Sequence, residues 1–224
     1  MRPKMYKQPP VWQVDEVLET ILSWGNNLQL DTKHLTLKLA MLFALVSAGR
    51  GSETSRLSMK TATRLPEGVR FKLLHHKKNL KSSEFPGTIF IPTYPENLDL
   101  CPVQCMDWYL AKTAGFRVGI NADIPEDDED LLFRSMSQPL KGITPKTFSR
   151  WVTECIATSL DSSPSGSLGH SARGSATTKA FIEGHLTLKE IMDGANWRTE
   201  SVFHKFYKNP DFNPNFGRSV LAKK

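Results

Sequence analysis

The segment Gly169–Pro210 reads GHSARGSATTKAFIEGHLTLKEIMDGANWRTESVFHKFYKNP, and the interpretation of the whole chain begins with it. His170 and Arg173 lie three residues apart near its start, so in a helix both side chains share a face and can approach one anion. The middle of the segment repeats apolar residues at helical spacing, and glycines predict breaks between helices. A chain that folds back across these breaks brings Tyr207 towards the histidine and arginine. An arginine, a histidine and a tyrosine around one phosphate are what a phosphoryl transferase with a tyrosine nucleophile needs.

A second arginine stands far upstream, in the sequence SAGRGSETSRLSM. Arg50 follows an apolar helical pattern in a turn flanked by glycines, and Glu53 comes three residues later. Taken alone, Arg50 and Glu53 are better explained by a surface ion pair, which contributes little to stability.

Three motifs together carry a resemblance to a known family. HSARGSATTKAF, DGANW and SVFHKFYKNP resemble the C-terminal motifs of tyrosine recombinases, and among these the enzymes of DIRS/Ngaro-type and Crypton-type transposable elements. The resemblance covers residues 11–210. It implies an α+β catalytic core, mainly α with a small antiparallel β-sheet.

The resemblance also implies roles for individual residues. Arg50 matches the first catalytic arginine, and Glu53 matches the acid that supports it. Trp197 stands where many relatives have a second histidine. Tyr207 follows Trp197 by ten residues, one more than in many bacterial members, but the Phe-Tyr ending matches the transposon branch. The implied catalytic set is Arg50, Lys78, His170, Arg173, Trp197 and Tyr207.

The lysine in that set is the least certain in register. Residues 61–95 predict a β-hairpin or three-stranded sheet with a basic loop, and in the family a lysine of this hairpin protonates the leaving 5′ oxygen. Lys78 is the preferred residue, but a slip of one residue would exchange it with Lys77. The alternative is that both are solvated charges at the tip of a loop.

Composition restricts the function classes. The chain has 224 residues, 39% of them hydrophobic, and a formal net charge of +6, which favours a polyanionic partner such as double-stranded DNA. Its most apolar stretch, at 37–49, is too short to cross a bilayer and predicts a buried helix. No signal peptide is visible, and three cysteines without metal-ligand spacing predict a reduced intracellular location, nuclear in a eukaryote. No metal or cofactor is expected.

The expected organisation has three parts. Residues 1–10 form a leader or linker, 11–210 the catalytic domain, and 211–224 an extended tail that either docks on a neighbouring subunit or is a disordered terminus. Helices are expected at 14–22, 32–46, 101–114 and 144–160. The last has Thr144 as N-cap, and its Lys146 and Arg150 either bind DNA phosphates, together with Lys77 and Lys81, or are solvated.

The expected function is therefore site-specific DNA recombination by a homo-oligomer, a dimer or tetramer on DNA, in the integration or excision of a mobile element. Chemistry would proceed through a 3′-phosphotyrosyl intermediate. The alternatives are a domesticated, non-cutting DNA-binding protein with the same fold and a type IB topoisomerase-like enzyme. A metal nuclease is the least favoured, because the acidic run at 126–130 is typical of a surface loop.

Overall fold

The computed structural model describes residues 12–73, 87–117, 130–137, 141–161, 168–183, 186–194 and 214–222. The helices are α1 (Val14–Ser23), α2 (Thr32–Ser47), α3 (Gly51–Thr54), α4 (Pro102–Arg117), α5 (Pro145–Ser159), α6 (Leu168–Ile182), α7 (Leu188–Gly194) and α8 (Pro214–Leu221). The strands are β1 (Ala62–Leu65), β2 (Gly68–Lys72) and β3 (Thr88–Pro92). The predicted fold class, mainly α with a small antiparallel sheet, is confirmed.

Helix α2 is the centre of the fold. Every residue from Leu35 to Ser47 is buried, and α4, α5, α6, α8 and β3 pack around it. Every side chain from Leu39 to Val46 is apolar, so no face of this part of the helix is suited to water and it needs such a shell of neighbours. The expectation that the apolar stretch at 37–49 is a buried core helix is therefore confirmed.

The ends of α2 follow from local chemistry. Asp31 is the N-cap, and its carboxylate accepts a hydrogen bond of 2.8 Å from the His34 backbone N–H. At the other end Ala48 adopts a left-handed conformation with φ of 43°, which stops the helix and turns the chain outward. That turn leads directly into Gly49 and Arg50.

The sheet is antiparallel with strand order β1-β2-β3. Its middle strand alternates cleanly: Val69 and Phe71 are buried, whereas Arg70 is half-buried and Lys72 exposed. Arg70 pairs with Thr63 on one side and Phe90 on the other. The predicted three-stranded sheet is confirmed, and Arg70 and Lys72 of its middle strand lie on the face turned away from the core.

Phe133 joins the helices into one core. It lies in the buried segment 131–134, and its ring contacts Phe43, Phe148 and Trp151 at centroid distances of 5.6, 5.3 and 6.4 Å. Edge-on aromatic contacts of this kind stabilise a core beyond the area they bury.

Two boundary expectations were wrong. The fourth helix was expected to end before Gly115 but continues to Arg117, because an exposed glycine lowers helix propensity without breaking a helix. The segment after 210 was expected to be extended, but 214–221 form α8. Its Val220 and Leu221 are fully buried, because this face covers α2, α6 and β3 of the same chain.

Candidate active site

Arg50 and Glu53 form a short closed turn at the beginning of α3. The Arg50 backbone N–H donates to Glu53 Oε2 at 3.2 Å, and Arg50 Nη1 donates to Glu53 Oε1 at 3.3 Å. In return the Glu53 N–H donates to the Arg50 carbonyl at 2.8 Å. The Glu53 side chain is only 15% exposed, whereas that of Arg50 is 51% exposed. The glutamate therefore holds the base of the arginine, and most of the guanidinium remains open to a ligand.

Arg173 lies on α6 and is influenced electrostatically by both of these residues. Burial, and secondly the positive charge of Arg50, lower the pKa of Arg173 to about 10, while Glu53 acts in the opposite direction. The side chain is half-buried. The positive charge of Arg50 therefore acts on Arg173, and the carboxylate of Glu53 opposes that effect. Two guanidinium groups in this position favour an anion that presents several oxygens, and a backbone phosphate does so.

Helices α3 and α6 both pack against α5. The Cα of Gly51 faces α5 so closely that an added Cβ would lie 3.2 Å from Ser149 Oγ and 3.7 Å from Phe148 Cδ1. A side chain here would require the Ser149 hydroxyl to shift by a few tenths of an ångström, so the turn that carries Arg50 packs closely against α5.

Lys146 and Arg150 lie on this same helix, on either side of Ser149. Both are exposed, and neither forms an ion pair with any residue in the described ranges. They are one turn apart, so α5 presents two open cations next to the turn that carries Arg50. Their position is compatible with the expected contacts to phosphates along a DNA strand.

The remaining expected site residues are placed only in part. His170 lies in the first turn of α6, one turn before Arg173, and the described structure gives its backbone alone. Five others fall outside the described residues: Lys77, Lys78, Lys81, Trp197 and Tyr207.

The sequence analysis assigned no role to Trp12 or Lys179, each of which forms a hydrogen bond between α6 and the beginning of α1. The indole Nε1 of Trp12 donates to Ser171 Oγ at 2.6 Å, across 159 residues. Lys179, which is 8% exposed, donates to Asp15 Oδ1 at 2.5 Å. Sequence gives no signal for the first contact. A lysine between Thr177 and Ala180 on an otherwise small-residue helix face was a visible signal for the second.

Metal and membrane sites were also considered. Within the part of the chain that the structure describes, no group of three or more His, Cys, Asp and Glu side chains converges as a metal site would require. None of the described helices combines the length and apolarity that crossing a bilayer demands.

No protein-family model matches this chain, and no curated protein matches it in sequence. Solved structures do match. XerH site-specific recombinase, bound to difH substrate in a pre-cleavage complex, is similar with a TM-score of 0.57 and 14% identity over 97% of this chain and 51% of that one. XerA recombinase is similar with a TM-score of 0.54 and 13% identity, over 100% of this chain and 63% of that one. FLP recombinase in a Holliday junction complex is similar with a TM-score of 0.52 and 13% identity, over 87% of this chain and 45% of that one.

The chain therefore spans about half the length of the XerH and FLP recombinases that it resembles. At such low identity the likeness concerns the arrangement of helices and sheet. It does not distinguish one branch of recombinases from another. What the likeness and the observed elements give together is the architecture: this chain has the fold of the tyrosine recombinase catalytic domain.

Proposed function

We propose that this chain is the catalytic region of a site-specific DNA recombinase that cleaves and rejoins DNA through a 3′-phosphotyrosyl intermediate. The arrangement that carries the proposal is Arg50, held by Glu53 at the beginning of α3, together with Arg173 on α6, whose pKa the charge of Arg50 helps to lower. Two guanidinium groups and one carboxylate leave a net positive charge, which favours the binding of a further anion. The recombinase-like fold supports the same conclusion independently.

In the proposed reaction the hydroxyl of Tyr207 gives up its proton to His170 and attacks a backbone phosphorus. The new bond joins the phenolic oxygen to phosphorus, and the bond to the 5′ oxygen breaks. Lys78, or Lys77 in its place, gives a proton to that leaving oxygen. A 5′-hydroxyl of a second strand then attacks the phosphotyrosine, which restores the phosphodiester and frees the tyrosine.

The arginines stabilise the charge that develops on the non-bridging oxygens during each attack. Removing one such donor commonly slows a reaction on the order of 10²–10³-fold. His170 donates a hydrogen bond or carries a proton, since the ordinary pKa of histidine lies close to neutral pH. Trp197 donates its indole N–H and packs the site, but it cannot transfer a proton. No metal is required, because the cations are side chains.

DNA is held beyond the scissile phosphate by Lys77, Lys81, Lys146 and Arg150. We propose that the protein acts as a homodimer or homotetramer on double-stranded DNA. Its setting is the integration or excision of a mobile element of the DIRS/Ngaro or Crypton type, inside the cell and in the nucleus of a eukaryotic host.

A nicked DNA substrate tests the proposal, because the short product diffuses away and traps the covalent intermediate. The wild type and Tyr207→Phe are incubated with it in EDTA, and protein bound covalently to DNA is measured after denaturation. We expect an adduct from the wild type alone. Tyr94→Phe is the matched control, since its hydroxyl makes no hydrogen bond within the described residues and its loss leaves the adduct intact.

Other outcomes distinguish the alternatives. An adduct that survives in Tyr207→Phe would remove this tyrosine from the mechanism. Salt-dependent DNA binding with no adduct from any variant would identify a non-cutting DNA-binding protein. Relaxation of supercoiled plasmid, without strand exchange between two DNA molecules, would identify a type IB topoisomerase-like enzyme.

A further inference from the structure

Helix α6 carries Arg173, so the position of α6 along its own axis decides where the guanidinium stands. Its buried face consists of small residues, with Ala172, Ala176 and Ala180 at 2%, 0% and 0% exposure. Methyl groups permit close approach to α2 and α5, but they are short knobs and interlock weakly with the neighbouring helices. Something other than this apolar face must resist sliding of α6.

Directional bonds to the beginning of α1 meet that requirement. Near the first turn of α6, Ser171 Oγ accepts the Trp12 indole N–H at 2.6 Å, and Trp12 is 4% exposed. Two turns later, about 12 Å along the axis, Lys179 Nζ donates to Asp15 Oδ1 at 2.5 Å. Both bonds reach the same end of α1, and they lie on either side of Arg173 in the chain.

Lys179 is also linked to the C-terminal helix. Its ammonium group donates to the Ala222 carbonyl at 2.6 Å, just past the end of α8, and lies 3.6 Å from Glu183 Oε1. A mostly buried ammonium group is stable only with such acceptors around it. Lys179 therefore links α6 to the beginning of α1 and to the end of α8 at one point.

We infer that Ser171 and Lys179 are positioning residues that act through Trp12 and Asp15 to fix the axial position of α6, and thereby the fit of Arg173 to the reacting phosphate. The inference rests on the proposed recombinase function. In this inference neither Trp12 nor Asp15 contacts DNA. Their effect is on the rate of the chemical step, because a displacement of the order of 1 Å can cost up to ~100-fold in rate.

The test compares Trp12→Phe and Ser171→Ala in single-turnover cleavage of the nicked substrate at saturating DNA, with the dissociation constant measured separately. Each variant removes one partner of the same bond while keeping the buried ring or the helix. We expect each to lower the cleavage rate about 10-fold or more and to leave the dissociation constant unchanged. The double variant should lose little beyond the worse single one, because both variants remove the same bond between Trp12 and Ser171.

Matched controls distinguish an effect on the position of α6 from a nonspecific effect of the substitution. Trp108→Phe and Ser175→Ala make the same chemical changes at residues whose side chains form no hydrogen bond with described residues, and both should cleave at the wild-type rate. Ser171→Thr keeps a hydroxyl and should restore cleavage. Asp15→Ala should slow cleavage, whereas Glu16→Ala, at the exposed neighbouring acid, should not.

The two proposals fail in different ways. If the wild type forms no adduct, the recombinase function is contradicted and the inference falls with it. If the wild type forms the adduct while Trp12→Phe and Ser171→Ala cleave within twofold of it, the inference alone is overturned. It is equally overturned if their rates fall only in proportion to the folded fraction, measured by urea unfolding of the same preparations.

Discussion

The substitution Gly217→Ala probes how α8 is seated. An added Cβ would lie 2.6 Å from Pro92 Cγ and 2.8 Å from Val46 Cβ, whereas carbon atoms in contact normally stand about 3.5–4 Å apart. Pro92 ends β3 and Val46 belongs to the buried α2, so neither can give way. The helix must instead move outward by about 1 Å, which loosens the packing of Val220 and Leu221, both fully buried.

The magnitude follows from two opposed effects. Alanine is favoured over glycine inside a helix by about 1 kcal/mol. Overpacking of a filled core commonly costs about 1–3 kcal/mol. The exposed ion pair between Arg218 and Glu96 also loses its geometry, but such pairs contribute little. We expect Gly217→Ala to lower the free energy of unfolding by up to about 2 kcal/mol, because the cost of overpacking outweighs the gain in helix propensity.

Gly115→Ala is the matched control. It makes the same change in α4, where the new Cβ meets nothing within 4 Å, and should raise the free energy of unfolding by up to about 1 kcal/mol. Both variants are compared with the wild type by urea unfolding followed by circular dichroism. If Gly217→Ala were as stable as Gly115→Ala, α8 would not be packed against Pro92 and Val46, and the reasoning would be refuted.

Three further predictions follow from buried or paired charges. Burial lowers the pKa of Lys38, so the unfolded chain binds more protons and the free energy of unfolding rises with pH up to the ordinary lysine pKa. Urea unfolding should therefore show Lys38→Met to be more stable than the wild type at pH 7, and the difference in free energy of unfolding should narrow towards pH 10. A difference that stays constant with pH would contradict this. Burial raises the pKa of Cys105 to about 12 and also raises that of Cys155, so neither thiol should react with iodoacetamide at pH 8 until urea unfolds the chain; rapid native labelling at either residue, located by mass spectrometry, would contradict their burial. Glu53→Gln should slow cleavage of nicked DNA roughly tenfold at saturating DNA, because Arg50 loses its ionic anchor; an unchanged rate would make the pair merely structural.

Local chemistry made much of the fold predictable. Asp31 before an apolar helical pattern, and Thr144 before Pro145, are capping signals, and both cap helices in the structure. Strand alternation around Val69 and Phe71 predicted the sheet in the same way. These signals depend on neighbours within a few residues, so the sequence displays them directly.

Contacts between distant segments were not predictable by the same reasoning. Nothing near Trp12 indicates that its partner is Ser171, and nothing in the polar, proline-containing tail indicates that Val220 and Leu221 fill a gap on the same chain. Both contacts depend on how the helices pack in three dimensions, and the local sequence of each helix carries no information about that packing. Spacing alone also could not assign Lys77 or Lys78.

The candidate site was predictable in part. The turn at Arg50 and the helix around Arg173 were each predictable from their local sequence, and the motif resemblance supplied the idea that they meet. The structure adds the physical coupling: the charge of Arg50 helps to lower the pKa of Arg173, and Glu53 opposes it. The catalytic roles of these residues stay a proposal.

The most direct measurement is a double-mutant cycle on cleavage of nicked DNA, with Arg50→Gln, Arg173→Gln and both together at saturating DNA. If the two guanidinium groups hold one phosphate as a unit, each single variant should cleave on the order of 10²–10³-fold more slowly. The double variant should then be scarcely slower than the worse single one. Lys146→Gln, by contrast, should weaken salt-dependent binding and leave this rate unchanged. Losses that simply multiply, or single variants that cleave at the wild-type rate, would contradict a shared phosphate.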